Sequence, residues 1–555
     1  MIRKTLALAA ALLFASGPML DAAAPIPDIM PAPQSITMGK GSFKVRGTTV
    51  NCDNTLDGRT QKAIMTFADR LSEACGKNIS FAATPALRSS ADKGLVRGMV
   101  FVPANGMGEE AYMITVKPKA VVVEASSRRG FLYAIQTLKQ MLPVAVYGNV
   151  PAPKEQWTLP CCTIVDSPRY AYRGMHLDCC RHFFSLDEVR KYLDVMAMYK
   201  MNTLHWHLTE DQGWRIEIDK YPLLTEIGAY RKGTQVGRRG PGHDGIRYGG
   251  YYTKAQIREI ISYADDLGIT IIPEVDLPGH MQAALASYPE LGCAGSQPQP
   301  YEVRTHWGIS KQVLNVGKES TMKFLEDVVD EVADLFPGEY FHIGGDECPR
   351  DEWKTDPDCQ AKIRELGLVS DDKATAEDRL QNYVTARIQK HLAKKGRKII
   401  GWDEILKGEL APGATVMSWR GTKGGIAAAK AGYDVIMTAN KSLYLDYYQL
   451  KDINAQPLGI GHYLPMSKVY EFEPSEGLTP AEAQRIKGVQ ANLWTEFVAT
   501  PEHLEYMLLP RMFAVSEVQW CQPDRKDAAR FTGSVENHQT KILDILGYNY
   551  CKTWE

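Results

Sequence analysis

Phe341-His342-Ile343-Gly344-Gly345-Asp346-Glu347 decides how the chain is read. The apolar lead-in Glu339-Tyr340-Phe341-His342-Ile343 suits a buried strand, which runs out through two glycines into two adjacent carboxylates. Gly344 and Gly345 accept unusual φ values and let a ligand approach the backbone closely. Neighbours on a regular strand point to opposite faces, so Asp346 and Glu347 can share a site only where the strand ends and turns. An exposed Asp-Glu turn would look the same in isolation, and the surrounding chain has to decide.

Outward from that stretch, strand-like and helix-like segments alternate. The strands are predicted at Tyr172–Asp178, Asn202–Leu208, Ile269–Val275, Tyr340–Ile343, Lys398–Trp402, Thr415–Trp419, Asp434–Met437 and Val489–Leu493. Ser185-x-x-Glu188 and Thr253-x-x-Gln256 are capping boxes opening amphipathic helices. Further helices are predicted over Met322–Leu335, Ala376–Lys395 and Pro501–Val518. Eight strands with intervening helices predict an α/β fold, a (β/α)8 TIM barrel over residues 166–520. The short link between strands five and six and the long irregular one between seven and eight strain that pattern. Residues 25–165 read as a smaller α+β domain, with helices at Ala63–Ala74 and Gly130–Leu142 and paired strands at Tyr112–Val116 and Ala120–Glu124. A tail, 521–555, is expected to pack on the barrel.

The 555 residues carry 64 Lys+Arg against 66 Asp+Glu, a net charge of −2, so no basic excess points to nucleic acid. Arg3 and Lys4, the apolar run Leu6–Phe14 and the small residues that follow have the order of a secretory signal peptide over 1–24. Export to the periplasm or the extracellular space is therefore expected, without a membrane span. The 11 cysteines are an odd number and match no zinc spacing.

In such a barrel the site lies at the C-terminal strand ends. Those ends offer His176 and Asp178, His205 through Asp211, Glu274 through His280, Asp346-Glu347, Trp402-Asp403-Glu404, Trp419-Arg420, Tyr444 and Asp446, and Trp494-Thr495-Glu496. A purely structural barrel has no use for so many partly desolvated charges, each costing several kcal/mol by order of magnitude when unpaired. Indoles stack on the apolar C–H faces of sugars while carboxylates and arginines take the hydroxyls, so carbohydrate cleavage wants these residue types. Metal ligation is the competing use of His205, His207, Asp211, Glu274, Asp276 and His280. It leaves the tryptophans, Arg173 and the Tyr444/Asp446 pair without a role.

Arg173-Gly174-Met175-His176-Leu177-Asp178, His207 through Arg215, Pro273 through His280, His342 through Glu347, and Gln490 through Glu496 stand in this order along the chain. In these pieces the sequence resembles the glycoside hydrolase family 20 β-N-acetylhexosaminidases. The resemblance implies an exo-acting, retaining enzyme removing terminal non-reducing β-linked GlcNAc or GalNAc. In that mechanism the substrate's own 2-acetamido oxygen attacks C1 to give an oxazolinium ion. By resemblance, Glu347 is the general acid and base, Asp346 orients the acetamido group, and Tyr444 donates to its oxygen. Asp211 and His280 form a relay behind the acid. Arg173, Asp446 and Glu496 bind ring hydroxyls, and Trp402, Trp419 and Trp494 enclose the sugar. The partner implied is an oligosaccharide or glycoconjugate, with no cofactor and no metal. A non-catalytic sugar-binding protein on the same scaffold would be expected to have lost Asp346 or Glu347.

Overall fold

A computed structural model of the chain describes residues 26–238, 240, 242–408 and 410–554. The signal segment read over 1–24 lies outside them. Among the described residues no helix is long and apolar enough to cross a membrane.

The first part is a seven-stranded mixed sheet. Its strands are β1 (Ser35–Lys44), β2 (Thr49–Asp53), β3 (Ser80–Thr84), β4 (Gly98–Pro103), β5 (Tyr112–Lys117), β6 (Ala120–Ala125) and β7 (Thr158–Asp166), in the order β1-β7-β5-β6-β4-β2-β3. The helices Gly58–Cys75 and Arg128–Gln140 pack against it. Alternation of buried and exposed residues in Tyr112–Lys117, facing the equally apolar Ala120–Ala125 across a two-residue turn, makes the β5–β6 hairpin.

The second part is a closed barrel of eight parallel strands. They are β8 (Tyr172–Asp178), β9 (Thr203–His207), β10 (Thr270–Glu274), β11 (Tyr340–His342), β12 (Lys398–Trp402), β13 (Thr415–Ser418), β14 (Asp434–Met437) and β15 (Ile486–Ala491), with β15 returning to β8. All eight predicted strands are present, shifted by a few residues at most. The Ser185 and Thr253 capping boxes both form. After β12 the expected helix is only a 3-10 turn, Asp403–Leu406, and between β14 and β15 the chain makes three short helices. The predicted helix over 501–518 is two helices, Pro501–Leu508 and Arg511–Trp520. Pro510 has no N–H to give the preceding turn, so the first helix stops before it.

Beyond Trp520 the chain forms helices Ala528–Ser534 and Thr540–Leu546 joined by a π turn. Gln539 there touches Tyr199 on the barrel (3.0 Å) and Gln140 on the first domain (3.4 Å), so the tail wedges between the two.

The seam between the domains corrects the reading of Arg173. A strand rises about 3.3 Å per residue, so Arg173, at the start of β8, stands some 17 Å below the end of that strand. Its guanidinium points down into the seam, ion-paired with Glu110 (2.6 Å) and bonded to the Tyr133 hydroxyl (2.7 Å) and the Lys200 and Tyr170 carbonyls (2.8 Å each). Beside it the Lys200 ammonium meets Asp166 at 3.0 Å, both fully buried. Arg173 therefore fastens the domains and takes no part in the cleft. Removing one member of a buried pair strands the other, at about 3–5 kcal/mol. Arg173→Met is expected to lower the calorimetric Tm while leaving KM for substrate unchanged. A raised KM at unaltered Tm would return Arg173 to the binding site.

Candidate active site

The site is built upward from a buried carboxylate. Glu274 ends β10 and points into the barrel, where Oε1 receives Trp402 Nε1 (2.8 Å) and faces His342 Nδ1 (3.0 Å). Its Oε2 meets His207 Nδ1 (2.5 Å) and His205 Nε2 (3.0 Å). Burial alone would neutralise this acid, but the surrounding imidazoles, His342 and His207 foremost, hold its pKa well below the ordinary value. Desolvation opposes a charge on His207 too, yet Glu274 and Glu210 raise it to about 10. His205 falls to about 4, through burial and then the neighbouring His342. His176, His207 and Glu274 could reach a common ion, and so could His205, Glu274 and His342. The 2.5 Å between His207 and Glu274 is a hydrogen bond, however, whereas two ligands on one zinc stand about 3.3 Å apart at bond lengths near 2.0 Å.

From His207 the bonding continues upward. His207 Nε2 meets Glu210 Oε2 at 3.2 Å, and Glu210 Oε1 meets His280 Nδ1 at 2.6 Å. His280 Nε2 then lies 3.8 Å from Glu347 Oε2 and 3.9 Å from Asp346 Oδ2. Burial works against a charged His280, but Glu210 and Asp211 push its pKa well up. Glu210 is thus the nearer partner of His280. Asp211, at 3.5 Å, also accepts the Gln282 and Ser310 backbone N–H groups and lies behind the cleft wall.

The two glycines are required by contact as well as by conformation. Gly344 has φ +61°, and a β-carbon on it would sit 1.8 Å from Asp276 Oδ1. That oxygen accepts the Gly345 N–H at 2.9 Å. Glu347 itself sits at φ 41°. The turn lets both carboxylates face one cleft, as the alternation rule demands. Asp346 is mostly buried beside Asp276, and desolvation followed by that second carboxylate raises its pKa strongly. Asp346 Oδ1 has no protein partner. Glu347 is the more open of the two, with 35 % of its side chain exposed against 13 % for Asp346.

The cleft has a volume of about 670 Å³. Of the predicted residues, Asp346, Glu347, His280, Tyr444, Asp446, Glu496, Trp402, Trp419 and Trp494 all line it, and Arg173 and Asp211 do not. Trp419 and Tyr444 lie nearly parallel at 6.2 Å, and Trp402 and Trp494 meet at 5.9 Å. Asp446 and Glu496 keep carboxylate oxygens without partners at the buried end. Desolvation, then Glu496, raises the Asp446 pKa strongly.

At the Trp494 side of this cleft stands Arg181, which no sequence motif singles out. It follows β8 in Asp178-Cys179-Cys180-Arg181, bonded to Asp178 (3.2 Å) and Glu210 (3.0 Å) and stacked 5.0 Å from Trp494. Counting forward from the strand's end finds it. Trp307, Arg238 and Phe497 also line the cleft and come from loops whose course sequence pattern does not give. Glu404, in sequence only one more strand-end carboxylate, has a definite task here. It accepts Trp419 Nε1 at 2.9 Å, fixing that indole in the cleft wall.

A parallel barrel that gathers paired carboxylates between indole walls at its strand ends is the frame of a glycoside hydrolase. The chain belongs to glycosyl hydrolase family 20: the family's catalytic domain matches residues 170–523 and its domain 2 matches residues 26–167. It is 42% identical over 530 residues to a β-hexosaminidase of Porphyromonas gingivalis, covering 94% of this chain but 64% of that protein, less than two thirds of its length. A β-hexosaminidase of Akkermansia muciniphila is 33% identical over 448 residues, covering 80% of this chain and 86% of that one. A mutant Streptomyces plicatus β-hexosaminidase, solved in complex with product GlcNAc, superposes with a TM-score of 0.80 at 32% identity, covering 96% of this chain and 98% of the other.

Glu404 gives the site a measurable pH signature. Burial, then the Asp346 charge, raises its pKa from 4.5 to about 8. The fold favours the neutral acid, so ionising it costs stability across that window, and the loss is complete above it. Glu404→Gln keeps an oxygen for Trp419 and removes the charge. Its Tm relative to wild type is expected to rise between about pH 5 and about pH 8.5. A constant Tm difference across that range would show that Glu404 ionises without penalty.

Proposed function

We propose that this chain is an exo-acting β-N-acetylhexosaminidase, releasing terminal non-reducing β-linked GlcNAc or GalNAc with retention of configuration. The observation that carries the reading is the unlike surroundings of two sequence neighbours. Asp346 is largely buried against Asp276 and His280 with its Oδ1 left without a partner, whereas Glu347 is the more exposed of the two. A two-carboxylate retaining glycosidase needs its groups about 5 Å apart on opposite sides of the scissile bond. Neighbours on one turn suit a different division of labour. Glu347 protonates the leaving oxygen and later deprotonates water, while Asp346 holds the acetamido N–H as its oxygen attacks C1.

Around that centre, Tyr444 donates to the acetamido oxygen, and Trp402, Trp419 and Trp494 enclose its methyl and the sugar face. Arg181, Asp446 and Glu496, at the buried end, take the ring hydroxyls of one terminal sugar, which gives exo action. His280 and Glu210, with Asp211 behind, steady the Glu347 proton. The GlcNAc held by the Streptomyces plicatus relative supports this choice of sugar. The side chains and the substrate's own amide fill every role, so full activity is expected without an added metal or organic cofactor. The substrate is an oligosaccharide or glycoconjugate, met in the periplasm or outside the cell as the 1–24 pattern suggests.

Glu347→Gln is expected to cut turnover of substrates with poor leaving groups by about 10²–10⁴, the contribution of a positioned acid. An activated phenol, which leaves without protonation, should lose much less in the first step. Equal losses on both would remove Glu347 from this role. For Asp346→Asn, turnover and binding of a thiazoline mimic of the cyclised intermediate should weaken together, because both depend on the same charge. A plain β-glucoside, lacking the acetamide, should be inert. Unaltered thiazoline affinity in Asp346→Asn would contradict the assignment.

A further inference from the structure

The eleven cysteines are all buried and none is bridged to another, and several have evident packing roles. Cys179 takes the Trp206 indole N–H, and Cys180 lies on the His207 carbonyl. One pair is different. Cys293, in the loop that follows β10, and Cys359, in the helix Pro357–Glu365 that follows β11, have thiols in hydrogen-bond contact although far apart in sequence.

Their backbones are held together independently of the sulfurs. Asp356 caps the helix by accepting the Cys359 N–H at 2.9 Å on Oδ1, and on Oδ2 it accepts the N–H of Ala294, the residue after Cys293, at 2.7 Å. Asn315 adds a second tie: its side chain donates to Asp356 (3.1 Å) and its backbone N–H to Leu291 (2.8 Å), and its Oδ1 receives the Cys359 thiol at 3.3 Å. Two thiols in contact, on segments fixed by one carboxylate, are brought together as a bridge requires. The segment between Cys293 and Asn315 carries Trp307, Gly308 and Ile309, which form one wall of the cleft.

We propose that Cys293 and Cys359 are a disulfide site, and that a disulfide donor closes it to tie the Trp307 loop to the helix beyond Glu347. The exchange takes two steps. One thiolate attacks the donor's S–S bond, expelling one donor thiolate and leaving a mixed disulfide. The second protein thiolate then attacks the protein sulfur of that bond and expels the other donor thiolate. The two protein thiols are oxidised, the donor disulfide is reduced to two thiols, and the two protons lost from the protein are taken up by the departing thiolates. The other nine cysteines remain reduced, which accommodates the odd count. The cross-link stands apart from the proposed catalytic reading and survives its failure.

The test uses the full chain, reduced, freed of reductant and incubated at about pH 8.5 with oxidised glutathione. Denatured intact mass should fall by about 2 Da with no glutathione retained. Peptide mapping should show Cys293 linked to Cys359, and Tm should rise by about 3 °C or more. Cys293→Ala and Cys359→Ala should each abolish both the mass loss and the Tm shift, and the double variant should behave like either single one. Mapping of the wild type decides the matter even where a variant folds poorly. Eleven free thiols, a persistent glutathione adduct on either residue, or a link between other cysteines would each overturn the proposal.

Discussion

The site hangs on the Glu274 carboxylate. An unpartnered charge in a barrel interior costs several kcal/mol, and here four nitrogen groups converge on it from β9, β11 and β12. The arrangement fixes the Trp402 indole, which walls the cleft, and favours an imidazolium at His207. That cation in turn holds Glu210, which holds His280 beneath Asp346 and Glu347. Each group is oriented by the one below it, so the upper carboxylates inherit their positions from the barrel core. The network shares the barrel interior with an apolar cluster of Ile272, Ile400, Met417 and Ile436, so one half of the interior is polar and the other is packed as in an ordinary barrel.

Above this base the cleft separates two electrostatic tasks over one peptide bond. Asp346 shares a desolvated corner with Asp276, where two carboxylates resist joint ionisation. That corner is suited to meeting positive charge that develops only as the reaction proceeds. Glu347 faces both the main cleft and a smaller trough lined by Arg350, Asp403, Glu404 and Arg420, which in the proposed mechanism would give a leaving sugar polar partners. Gly344 and Gly345 make the division possible, because a side chain at Gly344 would collide with Asp276.

Much of this is legible in the amino-acid sequence. Strand ends announce themselves as apolar runs breaking into charge and indole, and that pattern together with the family motifs points to nine of the residues that line the cleft. What the pattern leaves open it leaves open for different reasons. Arg173 falls within a family motif but sits at the wrong end of its strand, and direction along a strand decides which layer of a barrel a residue joins. Arg181 is at the right end, in an unremarkable Cys-Cys-Arg run. Asp211 and Glu210 are adjacent, and only the turn geometry after β9 decides which stands nearer to His280. Trp307 arrives on a long loop whose course depends on tertiary contacts such as those of Asp356.

The central claim is that the substrate's acetamido oxygen is the nucleophile. The most direct measurement is kcat/KM across substrates whose N-acetyl methyl carries zero, one, two or three fluorines, with the leaving group unchanged. Each fluorine withdraws electrons from the carbonyl oxygen while altering the shape of the group very little. If that oxygen attacks C1, kcat/KM must fall steeply and progressively along the series. A flat series, with all four substrates turned over at similar rates, would show that a protein carboxylate or water attacks instead, and would contradict the account.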